Sequence, residues 1–96
     1  LVLGDMLELG KDEIAYHKQI GEFLSNYSNI ELLTVGNLAR HIARNTTLKC
    51  VEFDNNKDCA EYINKNVKKG TTILLKASRS MKFEQIIEYV KNGEKL

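Results

Sequence analysis

Four short apolar runs alternate along the chain with segments of helical periodicity, and this alternation constrains the fold more than any other feature. The runs are Leu1–Leu3, Leu32–Val35, Cys50–Phe53 and Thr72–Leu75. Short, continuous apolar runs are typical of strands buried on both faces, and strands separated by helices pair in parallel. The sequence therefore predicts a Rossmann-like, doubly wound α/β fold, with a mainly parallel sheet of about four strands and helices on both faces.

A three-to-four-residue spacing of apolar side chains follows each run. It predicts helices over residues 12–27 and 38–44, a third that starts at Asn55 or Asn56 and stops at Gly70, and a fourth near 82–92. Asn37 is expected to cap the second helix, because its side chain can accept from a free backbone N–H. The residues expected on the inner faces are Ile14, His17, Ile20, Phe23 or Leu24, Tyr27, Cys59, Ala60, Ile63, Val67, Phe83, Ile86, Ile87 and Val90.

Size and charge exclude several classes of protein. With 96 residues the chain forms one domain at most, and a net charge of +1 gives no basic surface for nucleic acid. No apolar run approaches the roughly 20 residues of a membrane span, and no signal peptide is visible. Cys50 and Cys59 form no C-x-x-C pair, so we expect two small apolar side chains in a reducing cytoplasm. The chain begins without Met inside a predicted strand, as expected for a piece of a longer protein.

Two loops concentrate the polar chemistry. In a parallel sheet of order 3-2-1-4, strands 1 and 4 are neighbours, and ligands bind beyond the carboxyl ends of the strands where the order reverses. The loops that leave these strands are GDMLELG (4–10), here called the acidic loop, and KASRSM (76–81), here called the basic loop. The order 3-2-1-4 therefore predicts a crevice with Asp5 and Glu8 on one side and Lys76, Ser78, Arg79 and Ser80 on the other.

The side chains in this crevice suit a small charged ligand. Asp5 or Glu8 can hold an ammonium group, orient a basic side chain or assist a magnesium ion. Arg79 has a planar fork that matches a carboxylate or phosphate, and Ser78 supplies a hydroxyl. Structural roles are the alternatives: Asp5 accepting hydrogen bonds in its own turn, Arg79 paired with an acidic side chain, and Lys76 merely solvated.

No complete active site can be assembled from these residues. His17 lies on the inward stripe of the first helix, where a histidine is more often half-buried and satisfied than catalytic. The sequence contains no G-x-G-x-x-G and no G-x-x-x-x-G-K-S/T, no metal-ligand spacing and no Ser/His/Asp set. We therefore assign no catalytic residue and no metal ligand, and expect one half of a ligand-binding site.

Four segments resemble a known family. VLGDMLELG (2–10), HKQIG (17–21), TVG (34–36) and LLKASRSMKFEQII (74–87) are similar to the C-terminal domain of the Mur ligases. Within that family the resemblance is strongest to the branch that joins D-alanyl-D-alanine to UDP-MurNAc-tripeptide in peptidoglycan synthesis. It covers nearly all of residues 1–96, which would form that domain.

The resemblance implies a three-domain cytoplasmic enzyme that uses ATP and magnesium to activate the tripeptide carboxylate as an acyl phosphate. The amine of D-alanyl-D-alanine then attacks. The C-terminal domain would close over the N-terminal and central domains, with Asp5 and the Ser78–Arg79 pair facing the dipeptide and the nucleotide. Alone it is expected to be inactive and to bind no cofactor.

The sequence departs from the family pattern at three places. Gly70–Thr71 stands where the family usually has Gly-Asp, so a carboxylate is missing there. LysAlaSer replaces Lys-Gly-Ser, and Ala77 is expected to narrow the approach of a ligand to the backbone. The Asp/Asn-rich strand–helix segment that opens the family's domain is absent, so we expect a domain truncated at its N-terminal end, with one sheet edge exposed.

Two other functions remain open at this stage. A receiver-type or other regulatory module that binds a small ligand would use strand-end groups such as Asp5, Asp54 and Lys76. A receiver needs strand 3 in the centre of the sheet, whereas the order 3-2-1-4 leaves Asp54 at the edge. A purely structural interaction domain would bind no ligand at the crevice.

Overall fold

The computed structural model describes residues 1–92, which form one parallel sheet with helices on both faces. The strands are β1 (Val2–Gly4), β2 (Leu32–Val35), β3 (Cys50–Phe53) and β4 (Leu75–Lys76). Their order is β3-β2-β1-β4, and every neighbouring pair is parallel. The predicted doubly wound α/β fold and its strand order are confirmed.

Four helices complete the two outer layers: α1 (Glu13–Leu24), α2 (Arg40–Ala43), α3 (Asn56–Asn66) and α4 (Glu84–Asn92). Single 3₁₀ turns precede α1 at Gly10–Asp12 and α4 at Arg79–Met81. Leu24 of α1 and Ile42 of α2 pack with Leu32 on one face of the sheet. Ile63 of α3 and Ile86 of α4 pack with Val2 on the other. None of the helices in the described part of the chain is long and apolar enough to cross a membrane.

Several predicted boundaries differ from those in the structure, and most of these elements are shorter than predicted. The first strand lies one residue later than predicted, and β4 begins at Leu75 instead of Thr72. Because β4 is an edge strand that pairs only with the three-residue β1, few backbone partners are available and the strand stays short. Helix α1 ends at Leu24, and residues 25–26 form a turn that is closed by a hydrogen bond from the Tyr27 N–H to the Leu24 carbonyl oxygen. Helix α2 is only four residues long.

Some side chains predicted to face inward are exposed: Ile14, Phe23, Tyr27 and Ile87. In α1 the buried stripe is rotated toward α2, which approaches Gly21 so closely that a Cβ there would lie 2.5 Å from the Ile42 carbonyl oxygen. The buried positions are therefore His17, Gly21 and Leu24. In α4 the buried aromatic Tyr89 takes the place predicted for Ile87, since α4 packs against α3 as well as the sheet.

The edge position of β3 decides against a receiver-type site. Asp54 follows β3 at the edge of the sheet, and its carboxylate is paired with the guanidinium of Arg40. Arg40 and Arg44 also pair with Glu52 on the same strand. A receiver would need this carboxylate beside the one after β1, and here β2 separates the two strands.

Candidate functional site

The acidic loop and the basic loop lie side by side beyond the carboxyl ends of β1 and β4. The Ser78 backbone N–H donates to the Asp5 carbonyl oxygen over 3.0 Å. The Leu7 backbone N–H donates to the Ser78 hydroxyl oxygen over 2.7 Å. The adjacency inferred from strand order is therefore confirmed, and it is maintained by direct hydrogen bonds between the loops.

Three consecutive residues of the acidic loop are held by three different elements. Asp5 bonds to the loop after β2, Met6 to α1 and Leu7 to the basic loop. The Glu8 backbone then adopts a left-handed conformation with φ of 63°. Such a conformation is costly for a residue with a side chain, so it persists only where neighbouring contacts hold the chain. The acidic loop is thus a fixed structure built by the tertiary fold.

The Asp5 carboxylate points toward β2 and not toward Arg79. Its Oδ1 atom accepts a hydrogen bond from the Ala39 N–H over 2.7 Å, and Ala39 is fully buried. Asp5 therefore caps the start of α2, the role predicted for Asn37, which makes no such bond among the described residues. Gly36 has φ of 111°, and a Cβ there would lie 2.5 Å from Asp5 Oδ1. The missing side chain at Gly36 makes room for the Asp5 carboxylate.

His17 is fully buried, deeper than the half-buried position predicted, and both ring nitrogens have partners. Nε2 lies 3.0 Å from the Met6 N–H, and Nδ1 lies 2.6 Å from the Glu13 carbonyl oxygen. The expectation of a satisfied histidine is confirmed. Its contact with the acidic loop was not predicted, because periodicity identifies the buried face of a helix but not what lies against it.

Beneath the two loops, Ala77, which stands where the family has glycine, packs closely against Gly4. A Cβ on Gly4 would lie 2.6 Å from Cζ of Phe83 and 2.8 Å from Cβ of Ala77. The space between residues 4 and 77 therefore holds only one methyl group, which is the Cβ of Ala77. The extra methyl of Ala77 is accommodated because the residue facing it across the β1–β4 pair is a glycine.

Three charged side chains of the two loops, beyond the carboxyl ends of β1 and β4, are exposed: Glu8, Lys76 and Arg79. Within residues 1–92 no hydrogen bond or ion pair engages their charged groups. The alternative in which Arg79 pairs with an acidic side chain is therefore not found among the described residues. Ser78 is half-buried; because its oxygen accepts from Leu7, its own hydroxyl hydrogen remains available to a ligand.

Asn56, predicted from the sequence only as a possible start of the third helix, supports the basic loop from α3. Its Nδ2 group donates to the Met81 carbonyl oxygen over 2.7 Å and to Gln85 Oε1 over 3.0 Å. These contacts join the first turn of α3 to the end of the 3₁₀ turn that begins at Arg79. The helix cap is supplied by its neighbour Asn55, whose side chain accepts from the Asp58 N–H.

The described residues offer no metal centre. No group of three or more His, Cys, Asp or Glu in residues 1–92 is arranged to hold an ion, so these residues do not fit a magnesium site by themselves. Both cysteines are free, and burial raises the pKa of the Cys59 thiol to about 12. Burial also raises the pKa of Cys50, so neither is poised as a thiolate.

A second concave surface lies at the opposite end of the sheet, beside the amino ends of β1, β2 and β4. It is a groove of about 610 Å³ beside the start of β1, and its lining includes Leu1, Ile30, Ile63, Val67 and Leu74. The groove contains none of the residues in the acidic or basic loop. It is therefore separate from the surface formed by the acidic and basic loops.

Comparison with known proteins connects this fold to one group of enzymes. No protein-family profile matches the chain. The UDP-N-acetylmuramoyl-tripeptide–D-alanyl-D-alanine ligase of Bacillus subtilis is 42% identical over 94 residues, which cover 92% of this chain and 20% of that protein. The ligase of the same name from Buchnera aphidicola (strain Bp) is 39% identical over 89 residues, covering 91% and 19%. The chain thus spans about a fifth of the length of the curated relatives it matches.

Solved structures agree with the sequence comparison. The MurF ligase of Thermotoga maritima, solved in complex with ADP, superposes with a TM-score of 0.74 at 28% identity over 95% of this chain and 21% of that one. MurF from Acinetobacter baumannii has the same fold, with a TM-score of 0.82 at 22% identity over 96% of this chain and 21% of that one.

Proposed function

Because this chain is homologous to one domain of the UDP-N-acetylmuramoyl-tripeptide–D-alanyl-D-alanine ligases, the MurF enzymes, we propose that it acts as the C-terminal domain of such a ligase. In this proposal residues 1–96 are the acceptor-substrate domain, truncated at its N-terminal end. The domain closes over the N-terminal and central domains of a cytoplasmic enzyme of peptidoglycan synthesis. It is inactive without them.

The unpaired guanidinium of Arg79 is the observation that carries the proposal. A dipeptide zwitterion such as D-alanyl-D-alanine presents one carboxylate and one ammonium group. Arg79 is exposed beyond the carboxyl end of β4, and its planar guanidinium can bind the carboxylate through two parallel hydrogen bonds. The Ser78 hydroxyl hydrogen supplies a further donor beside it, and Lys76 adds positive charge on the same loop.

A carboxylate for the ammonium group is available on the facing loop. Glu8 is exposed and unpaired within the described residues, whereas one oxygen of Asp5 is committed to Ala39. We therefore assign the ammonium contact to Glu8 and a supporting role to Asp5, which sets the position of the loop. This differs from the expectation drawn from the family resemblance, in which Asp5 faced the dipeptide.

ATP and magnesium belong to the complete enzyme in this proposal. A relative has been solved with ADP, whereas this chain has neither a glycine-rich phosphate loop nor a group of metal ligands in its described part. ATP, when bound by the complete enzyme, supplies the activation of the UDP-MurNAc-tripeptide carboxylate. The residues of this chain orient the incoming amine and shield the reaction from water as the domain closes.

The test is steady-state kinetics of the full-length ligase with Arg79→Ala. Loss of a charge-assisted contact is expected to raise the KM for D-alanyl-D-alanine by about 10- to 100-fold, or to reduce turnover to a similar extent. Arg44→Ala is the matched control, because Arg44 is an exposed arginine paired with Glu52 at the far edge of the sheet. Unchanged kinetics for Arg79→Ala would contradict the proposed site.

The gene upstream of this segment gives an independent check. A G-x-x-x-x-G-K-S/T loop is expected some 200 or more residues before Leu1, because a ligase of this type needs a phosphate-binding loop that this chain lacks. A parent protein without such a loop would rule out the ligase assignment.

A further inference from the structure

We propose that His17 is a positioning residue, which holds the acidic loop in its ligand-binding conformation through the backbone N–H of Met6. The proposal rests on the function proposed above, since it is the placement of Glu8 and Ser78 at the ligand that His17 controls. His17 is 0% exposed, so it touches no substrate and acts only through the loop.

The geometry defines the protonation state of the ring. A backbone N–H can only donate, so Nε2, 3.0 Å from the Met6 nitrogen, must carry a lone pair. A carbonyl oxygen can only accept, so Nδ1, 2.6 Å from the Glu13 oxygen, must carry the hydrogen. The imidazole is therefore neutral, with its proton on Nδ1. In this form it joins the first turn of α1 to the middle of the acidic loop.

Met6 is the central attachment of the loop. Asp5 is held on one side by Ala39 and Leu7 on the other by Ser78. Loss of the acceptor at His17 would leave a partly buried N–H without a partner between these two contacts, and such a group costs more than the bond itself contributes. The loop would relieve this by moving Met6 toward water, which displaces Leu7 from Ser78 and releases the left-handed Glu8.

Kinetics of the full-length ligase test this role. His17→Leu removes both polar atoms at similar volume, and we expect the KM for D-alanyl-D-alanine to rise about tenfold per mole of folded enzyme. The KM for UDP-MurNAc-tripeptide should not change. His17→Gln can still accept at Oε1 and donate at Nε2, so it should recover a large part of the affinity. His41→Leu, which changes the half-buried histidine of α2, is the matched control and should resemble wild type.

A purely structural role gives a different result. The yield or thermal stability of His17→Leu would fall while the KM per mole of folded enzyme stayed at the wild-type value, and that outcome would overturn the proposal. Equal KM values for His17→Leu and His17→Gln would also overturn it, because the rescue depends on a restored acceptor for Met6.

Nuclear magnetic resonance of the ¹⁵N-histidine-labelled protein separates this proposal from the function on which it rests. The His17 ring should show a protonated Nδ1 and an unprotonated Nε2, and the Met6 amide should exchange faster in His17→Leu than in wild type. A ring protonated on Nε2 would refute the positioning role whatever the enzyme does. If the ring has the expected tautomer but the full-length protein does not ligate D-alanyl-D-alanine, the proposed function fails and the loop attachment stands.

Discussion

The Leu7 backbone N–H donates to the Ser78 hydroxyl oxygen over 2.7 Å, although the two residues are 71 positions apart in the sequence. The contact exists because β1 and β4 are neighbours in the sheet. It makes one surface out of two loops with opposite charge.

Asp5→Ala is expected to lower the free energy of unfolding by about 1–2 kcal/mol, because it leaves the buried Ala39 N–H without an acceptor. Asp5→Asn keeps an oxygen at the same place and should lose less. Urea denaturation of the two variants measures the difference. Glu8→Gln is the control, with an expected change near zero, since Glu8 is exposed. Equal losses for Asp5→Asn and Asp5→Ala would show that the charge of Asp5, and not its hydrogen bond, is what stabilises the fold.

Gly36→Ala is expected to destabilise the protein more than Gly10→Ala does. Both glycines have positive φ, so a side chain at either position costs about 1–2 kcal/mol of backbone strain. At Gly36 the new Cβ would also lie 2.5 Å from Asp5 Oδ1, whereas at Gly10 it would meet nothing within 4 Å. Chemical denaturation of both variants gives the comparison.

The contact between Gly36 and Asp5 should also appear as coupling. In the double variant Gly36→Ala/Asp5→Ala the steric part of the penalty disappears. The loss of unfolding free energy in the double variant should therefore be smaller than the sum of the losses in the two single variants. Strict additivity would mean that Gly36 contributes only through its backbone conformation.

Gly4→Ala is expected to lower the free energy of unfolding by about 1–3 kcal/mol through overpacking. The added methyl would lie 2.6 Å from Phe83 Cζ and 2.8 Å from Ala77 Cβ. Ala77→Gly in the same protein removes the second of these contacts and should recover part of the loss. A double-mutant cycle measured by thermal or urea unfolding quantifies the coupling. A cycle with no coupling energy would show that Phe83 alone limits the size of residue 4.

Stability should fall in alkaline solution because of Cys59. Burial raises the pKa of its thiol from 9.0 in the unfolded chain to about 12 in the fold. Between these values the unfolded thiol loses its proton while the folded one keeps it, so the contribution is complete below pH 9 and is lost as the pH rises toward 12. The difference in unfolding free energy between wild type and Cys59→Ala, measured across this range, should therefore shrink as the pH rises. A constant difference would contradict the raised pKa.

Much of the fold follows from local pattern. The four apolar runs are near the four strands, and the capped third helix begins where the Asn55–Asn56 pair predicted. Strand ends and inner faces were less predictable. Tyr89 replaces Ile87 in the core because α4 packs on α3 as well as the sheet, and periodicity within one helix contains no information about a second neighbour. The two-residue β4 likewise reflects its single partner strand.

The candidate site divides in the same way. The sequence by itself determined that Asp5 and Glu8 leave β1 and that Ser78 and Arg79 leave β4, because these residues directly follow two apolar runs. The strand order then brings the two loops together at the carboxyl ends of β1 and β4. Only the tertiary structure decided which acidic residue is free. Asp5 turns to the Ala39 N–H that reaches it from the loop after β2, and His17 reaches Met6 from α1. The physical reason is that a backbone N–H or carboxylate takes whichever partner the assembled fold places within about 3 Å, and such partners lie far away in the sequence.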